Sequence, residues 1–166
     1  TGRSSMHIMV ECFSGPPTAD ELEASTHCLM VFVSVDPAGR SQAVPELVVK
    51  GEAQRLLQEW ALERADVRAE IEAAMAGQVY SQEGTAPRLV MRFLAAPTDV
   101  NWGGKVHGGI VMRWIDEAAH VLATRWTGNA ANVAIFTGGV RFYRPLRIGH
   151  LVEVEARLLH TGRSSM

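Results

Sequence analysis

Residues 101–126, NWGGKVHGGIVMRWIDEAAHVLATRW, combine groups that could do acid–base chemistry with backbone that could hold a developing charge. Gly103, Gly104, Gly108 and Gly109 let the chain turn tightly or approach a ligand closely. From Ile110 onward the residues are apolar on nearly every side, which predicts a helix buried all round. Asp116 and Glu117 sit within it. A carboxylate on a buried helix is costly unless it is paired, hydrogen-bonded or used. Gly108 and Gly109 place bare N–H groups at the helix start, where the dipole favours negative charge. One element therefore offers a proton acceptor and an anion site together.

Each of these residues also has a plainer reading. Asp116 could pair with Arg113 or His120 at helical spacing, and Glu117 with Arg113 or across a subunit contact. Asn101 on its own would be a turn residue. His107 could act as a base, or its ring could pack at the helix entrance.

The elements that must position this stretch follow from apolar periodicity. Residues 5–14 alternate as a strand and end at Gly15-Pro16-Pro17; residues 27–35 form a second, followed by the turn residues Asp36 to Gly39. An amphipathic, peripheral helix is expected from Pro45 to about Met75. Residues 77–86, GQVYSQEGTA, read as a linker. Residues 88–95 are a third strand, and Gly128-Asn129 closes the central helix. Residues 133–136, 140–143 and 151–159 are strand-like, with Gly138 and Gly139 expected at a bulge. Five or six strands, one buried helix and one outer helix make an α+β domain, a sheet wrapped round a helix.

A chain of 166 residues can build one domain with a real core. Sixteen basic and 18 acidic side chains give a formal charge of −2, which points to neither nucleic acid nor an anionic membrane as partner. Cys12 and Cys28 lie in strand-like runs without metal spacing, so they are expected as buried thiols in a reducing cytoplasm. No apolar run approaches the roughly 20 residues of a membrane span, and no secretory-leader pattern opens the chain. The hexapeptide TGRSSM occupies residues 1–6 and again 161–166. It fits a circular permutant cut within this segment, or a window onto a tandem repeat.

Three segments carry a family resemblance: TDVNWGGKVHGGIVMRWIDEAA at 98–119, FYRPLRIGHLVEVEARLLHTGRSSM at 142–166, and VSVDPAGRSQAVPEL at 33–47. With them the chain resembles the hotdog-fold acyl-CoA thioesterases of the cytosolic acyl-CoA hydrolase branch. The order is rotated: residues 1–76 correspond to late strands and outer helix, and 87–166 to the first strand, central helix and middle strands of one hotdog domain. The resemblance implies hydrolysis of acyl-CoA to a free fatty acid and CoA, with no metal or bound cofactor. It implies Asn101 and Asp116 as the catalytic pair, drawn from two different hotdog units of a homodimer or larger assembly. Asp116 would be general base or nucleophile, its pKa raised by burial. Asn101 would orient water or substrate, and the N–H of Gly108 or Gly109 would stabilise the oxyanion.

Arg144, Arg163, Ser164 and Ser165 are the residues implied for the CoA phosphates, because a guanidinium makes paired hydrogen bonds to phosphate. Trp102, Met112 and Trp114 are expected along an apolar acyl slot. Two other readings stand beside this one: a hotdog hydratase or dehydratase using His107, and a non-catalytic module that binds acyl-CoA.

Overall fold

A computed structural model describes residues 3–79 and 86–166. Residues 80–85 of the expected linker, and Thr1 and Gly2 of the first TGRSSM copy, lie outside the described residues. The chain divides into two compact units, Thr1–Met75 and Ala76–Met166, with the break at the start of the expected linker. The class is α+β with antiparallel strand pairs, in keeping with the hotdog resemblance.

In the first unit, β1 (Ser5–Ser14) pairs antiparallel with β2 (Glu23–Val33) from Ser5↔Val33 to Ser14↔Glu23, with a register shift at Cys12/Phe13. Alternation puts Met6, Ile8, Val10 and Cys12 on one face with Cys28, Met30 and Phe32. The two cysteines are free and exposed rather than buried, because the hairpin leaves this face open. The Asp36 carboxylate holds the following turn, accepting the backbone N–H groups of Ala38 and Arg40 and the Arg40 side chain, each at 2.9 Å. Chiefly the Arg40 backbone bond, opposed by a smaller desolvation effect, keeps this carboxyl below its ordinary pKa.

Helix α1 (Glu52–Ala76) begins later than the expected Pro45. Gly51, at φ 82°, takes a left-handed turn that no helix continues through, and the β-branched Val48 and Val49 before it favour extended chain. The helix is peripheral as expected and buries no residue.

In the second unit, β3 (Arg88–Leu94) pairs antiparallel with β4 (Leu151–Arg157) without interruption, Arg88↔Arg157 to Leu94↔Leu151. Phe93, Val152 and Val154 face inward onto helix α2 (Gly108–Thr127). The outward face carries opposite charges, Arg92 against Glu153 at 2.9 Å and Arg88 against Glu155 at 3.6 Å. The core is Ala95, Val106 and Trp114, with the Trp114 indole stacked on Phe93 at 5.2 Å between centroids.

Helix α2 is not buried all round. Trp114, Ala118 and Leu122 are buried, one stripe at spacing i, i+4, i+8, while Met112, Ile115 and Val121 stay exposed. A two-stranded sheet covers one side of a helix and no more. Gly128, at φ 69°, ends α2 by donating its N–H to the Thr124 carbonyl.

The runs at 133–136 and 140–143 are not strands. Their composition suits a sheet, but a strand exists only where a neighbour takes up its backbone hydrogen bonds, and none of the described residues does. Ile135 is 91% exposed. Gly138 and Gly139 accordingly lie in irregular chain rather than at a bulge. Among the described residues no helix is long and apolar enough to cross a membrane.

Candidate active site

The loop between β3 and α2 is fixed by its own polar groups. A 3-10 turn at Pro97–Asp99 is closed by the Asp99 carboxylate, which accepts the Ala96 N–H at 2.9 Å. The Asp99 carbonyl accepts the His107 N–H at 2.8 Å. Within this frame Asn101 closes a smaller ring. Its side-chain oxygen accepts two backbone N–H groups, from Gly103 at 2.8 Å and Lys105 at 3.1 Å. Its backbone N–H donates to the Lys105 carbonyl at 2.7 Å, and its carbonyl accepts from Gly104, a residue at φ 73°. With Oδ1 occupied, the Asn101 side chain offers only its Nδ2 hydrogens outward. It can donate to an oxygen and cannot take a proton from one.

His107 is the N-cap of α2, and its Nδ1 accepts the Gly109 N–H at 3.1 Å. A ring nitrogen that accepts carries no proton, so the neutral ring holds its hydrogen on Nε2. The Gly109 N–H is thereby used. The Gly108 N–H has no partner among the described residues, as the first turn of a helix allows.

Asn101 and Gly108 line one cleft of about 360 Å³ together with Arg144. The walls are Val106, Val111, Phe142, Tyr143, Pro145 and Leu146, and Lys105 adds a second cation. A Cβ on Gly108 would lie 3.2 Å from the tip of the Phe142 ring, so glycine is what allows this close approach. The arrangement can hold an oxygen that becomes negative: two residues with unused N–H groups line a mainly apolar cleft, and no carboxylate is among its described lining residues.

The other expected site residues lie elsewhere. Asp116 is exposed rather than buried as expected, because none of the described residues covers that side of α2. It is eight residues, about 12 Å of rise, along α2 from Gly108, and 200° round the helix from the buried Trp114 at 100° per residue. It pairs with neither Arg113 nor His120, whereas Glu117 pairs with Arg113 at 3.6 Å, its plainer reading. None of the acyl-slot residues lines the cleft: Trp102 is 99% exposed, Met112 is exposed, and Trp114, 3% exposed, fills the core. Arg163, Ser164 and Ser165 are exposed in a terminal turn closed by Gly162 donating to the Ser165 carbonyl at 2.7 Å. Lys105, Phe142 and Tyr143 line the cleft without having been expected there; the loops that bring them in are far apart in sequence.

Residues 103–166 match the thioesterase superfamily model. That segment holds most of the glycine loop, all of α2, the far wall of the cleft and β4. Over it the chain is similar to the thioesterase superfamily. Curated relatives match the chain as well. It is 33% identical over 78 residues to the acyl-CoA thioester hydrolase YciA of Escherichia coli, covering 47% of this chain and 58% of that protein. It is 30% identical over 97 residues to an uncharacterized acyl-CoA thioester hydrolase of Zymomonas mobilis, covering 55% and 64%. It is 31% identical over 78 residues to protein VdlD of Helicobacter pylori, covering 47% and 44%. The chain thus spans about half of the length of the curated relatives it matches. An acyl-CoA hydrolase structure from Agrobacterium tumefaciens aligns over 98% of this chain and 53% of that one, at TM-score 0.44 and 20% identity.

Proposed function

We propose that this chain hydrolyses the thioester of an acyl-CoA to a free fatty acid and CoA. The observation that carries the reading is that Asn101, with its Nδ2 unused, and Gly108, with its N–H unused, line one mainly apolar cleft whose other lining residues all lie within the segment similar to the thioesterase superfamily. The substrate carbonyl enters between them, and both donors strengthen their bonds as its oxygen becomes an oxyanion. Water adds to the carbonyl carbon, the carbon–sulfur bond breaks, and the proton lost by water ends on the CoA thiolate. Asp116 carries that proton as general base, with direct attack as nucleophile the variant of the same step.

Among the described residues no carboxylate lines the cleft that holds Asn101, and Asp116 is exposed on α2. Both facts favour a site shared between copies, each supplying Asp116 to the other's Asn101 and gaining burial on assembly. The working form is then a homodimer or an assembly of dimers, acting in the cytoplasm, and hydrolysis by this route uses no cofactor. The hydratase reading loses ground because His107 spends Nδ1 on the Gly109 amide and so cannot accept a proton there.

The test is turnover of several acyl-CoAs followed with a thiol-trapping reagent. Asp116→Ala is expected to lose at least about 10²-fold in kcat, and mixing it with Asn101→Asp should restore part of the rate through hybrid assemblies. Near-normal turnover by Asp116→Ala overturns the mechanism. Tight binding of acyl-CoA with no turnover by the unaltered chain leaves the binding-module reading in its place.

A further inference from the structure

Helix α1 leaves its large apolar side chains outside. Gln58, Ala61, Ala65, Arg68 and Glu72 form a half-buried side, spaced three and four residues apart as one face of a helix. On that side the Ala61 carbonyl accepts the Nδ1–H of His7, on β1, at 3.2 Å. Leu56, Trp60, Val67 and Ile71 make a second stripe, about 130° round the helix from the first at about 100° per residue. Leu56, Val67 and Ile71 are exposed, and Trp60 is half-buried, with the Arg64 guanidinium over its ring at 4.8 Å. A ridge of Glu59, Glu63, Asp66 and Glu70 runs along one edge of this stripe. Glu59 meets Arg55 at 3.9 Å, whereas Glu63, Asp66 and Glu70 have no ion pair among the described residues.

We infer that this face of α1 docks an amphipathic helix of another protein, one that carries its own apolar stripe and a Lys or Arg edge. The inference stands apart from the thioesterase reading. A continuous apolar stripe left outside, on a helix that buries none of its residues, is the pattern that receives a helix. Charge decides the occupant. Residues 56 and 71, like 60 and 67, lie equally far from the midpoint of the stripe, so an antiparallel second copy would match Leu56 to Ile71 and Trp60 to Val67. The two-fold axis would then lay the acidic ridge along its own copy. A parallel copy would set Glu63 and Glu70 each against itself at the seam. Like charges brought together in an interface are costly in either orientation, whereas a basic edge meets the unpaired carboxylates of Glu63, Asp66 and Glu70. The same ridge repels an anionic membrane surface.

The experiment is calorimetric titration of the full chain with two synthetic helical peptides that share one leucine stripe, one edged with lysine and the other with glutamate. The lysine peptide is expected to bind about ten-fold more tightly than the glutamate peptide at low salt, with the gap closing as salt rises. Ile71→Asn should weaken the lysine peptide about ten-fold, the scale of one truncated anchor. Glu63→Gln combined with Glu70→Gln leaves the apolar stripe whole and should bring the two peptides to nearly equal affinity. Equal binding of both peptides by the unaltered chain overturns the proposal. So does failure of both to bind, or binding indifferent to all three substitutions. Sedimentation of the chain without peptide supplies the remaining arm: self-association abolished by Ile71→Asn would give this face to a second copy and overturn the proposal as well.

Discussion

Helix α1 runs 25 residues and buries none of them; α2 runs 20 and buries Trp114, Ala118 and Leu122 in one stripe. The first is held mainly by local means, ion pairs such as Arg55–Glu59 and Arg68–Glu72 at i,i+4 and Arg64 stacked over Trp60 at 4.8 Å, with one long-range hydrogen bond, the His7 ring Nδ1 to the Ala61 carbonyl at 3.2 Å. The second is capped at both ends and stacked onto β3 through Phe93. A helix that presents a reactive N-terminus must be fixed in position, and packing does that where local pairs cannot. The candidate chemistry accordingly gathers at the start of α2.

The sharpest way to break this comparison is to remove one tryptophan from each helix. Trp114→Ala should cost about 3–5 kcal/mol, the scale for emptying an aromatic core site, read by urea denaturation. Trp60→Ala, which removes a half-buried ring and its stack with Arg64, should cost about 1 kcal/mol. Equal losses would mean that α1 is packed as tightly as α2. The caps of α2 come next. Gly128→Ala forces a side chain into the left-handed region at φ 69° and should cost about 1–2 kcal/mol. His107→Ala should cost about 1 kcal/mol by loss of the N-cap, and His107→Asn should recover most of it. If Asn at 107 restores stability but not turnover, the ring does more than cap.

The smallest effect belongs to the first unit. Asp36 has its pKa lowered in the folded chain, so its stabilising contribution is present above the unfolded value near 3.9 and is lost as pH falls through the lower folded value. Melting temperature should drop below about pH 4, and Asp36→Asn should flatten that part of the curve. A curve of identical shape in the variant would show that the turn contributes nothing measurable.

Much of this was legible in the sequence. Alternation located β1, β2, β3 and β4 to within a few residues, and Gly128-Asn129 marked the end of α2. Local signals suffice where structure is settled locally. The start of α1 was misplaced because Pro45 resembles a helix opening, whereas Gly51 and the valines before it decide the matter. The runs at 133–136 and 140–143 have strand composition, and composition says nothing about whether an edge is available to pair with. In the site, Asn101, Gly108 and Arg144 were readable as a motif and do meet in one cleft. Lys105 and Phe142 were not, since their role depends on loops that come together only in three dimensions. The burial of Asp116 was inferred from its apolar neighbours in sequence, but neighbours in sequence do not supply a cover on the far side of a helix.

The two ends of the Asn101 amide have separate employers: the oxygen belongs to the scaffold, tying down Gly103 and Lys105, and the nitrogen is left, in the proposed reaction, for a guest. An aspartate of the same shape would keep the first job and reverse the second, presenting a negative oxygen where a hydrogen had been. Direct hydrolysis of that amide to aspartate would therefore keep the two N–H bonds that fix the turn and set a negative charge against the proposed substrate.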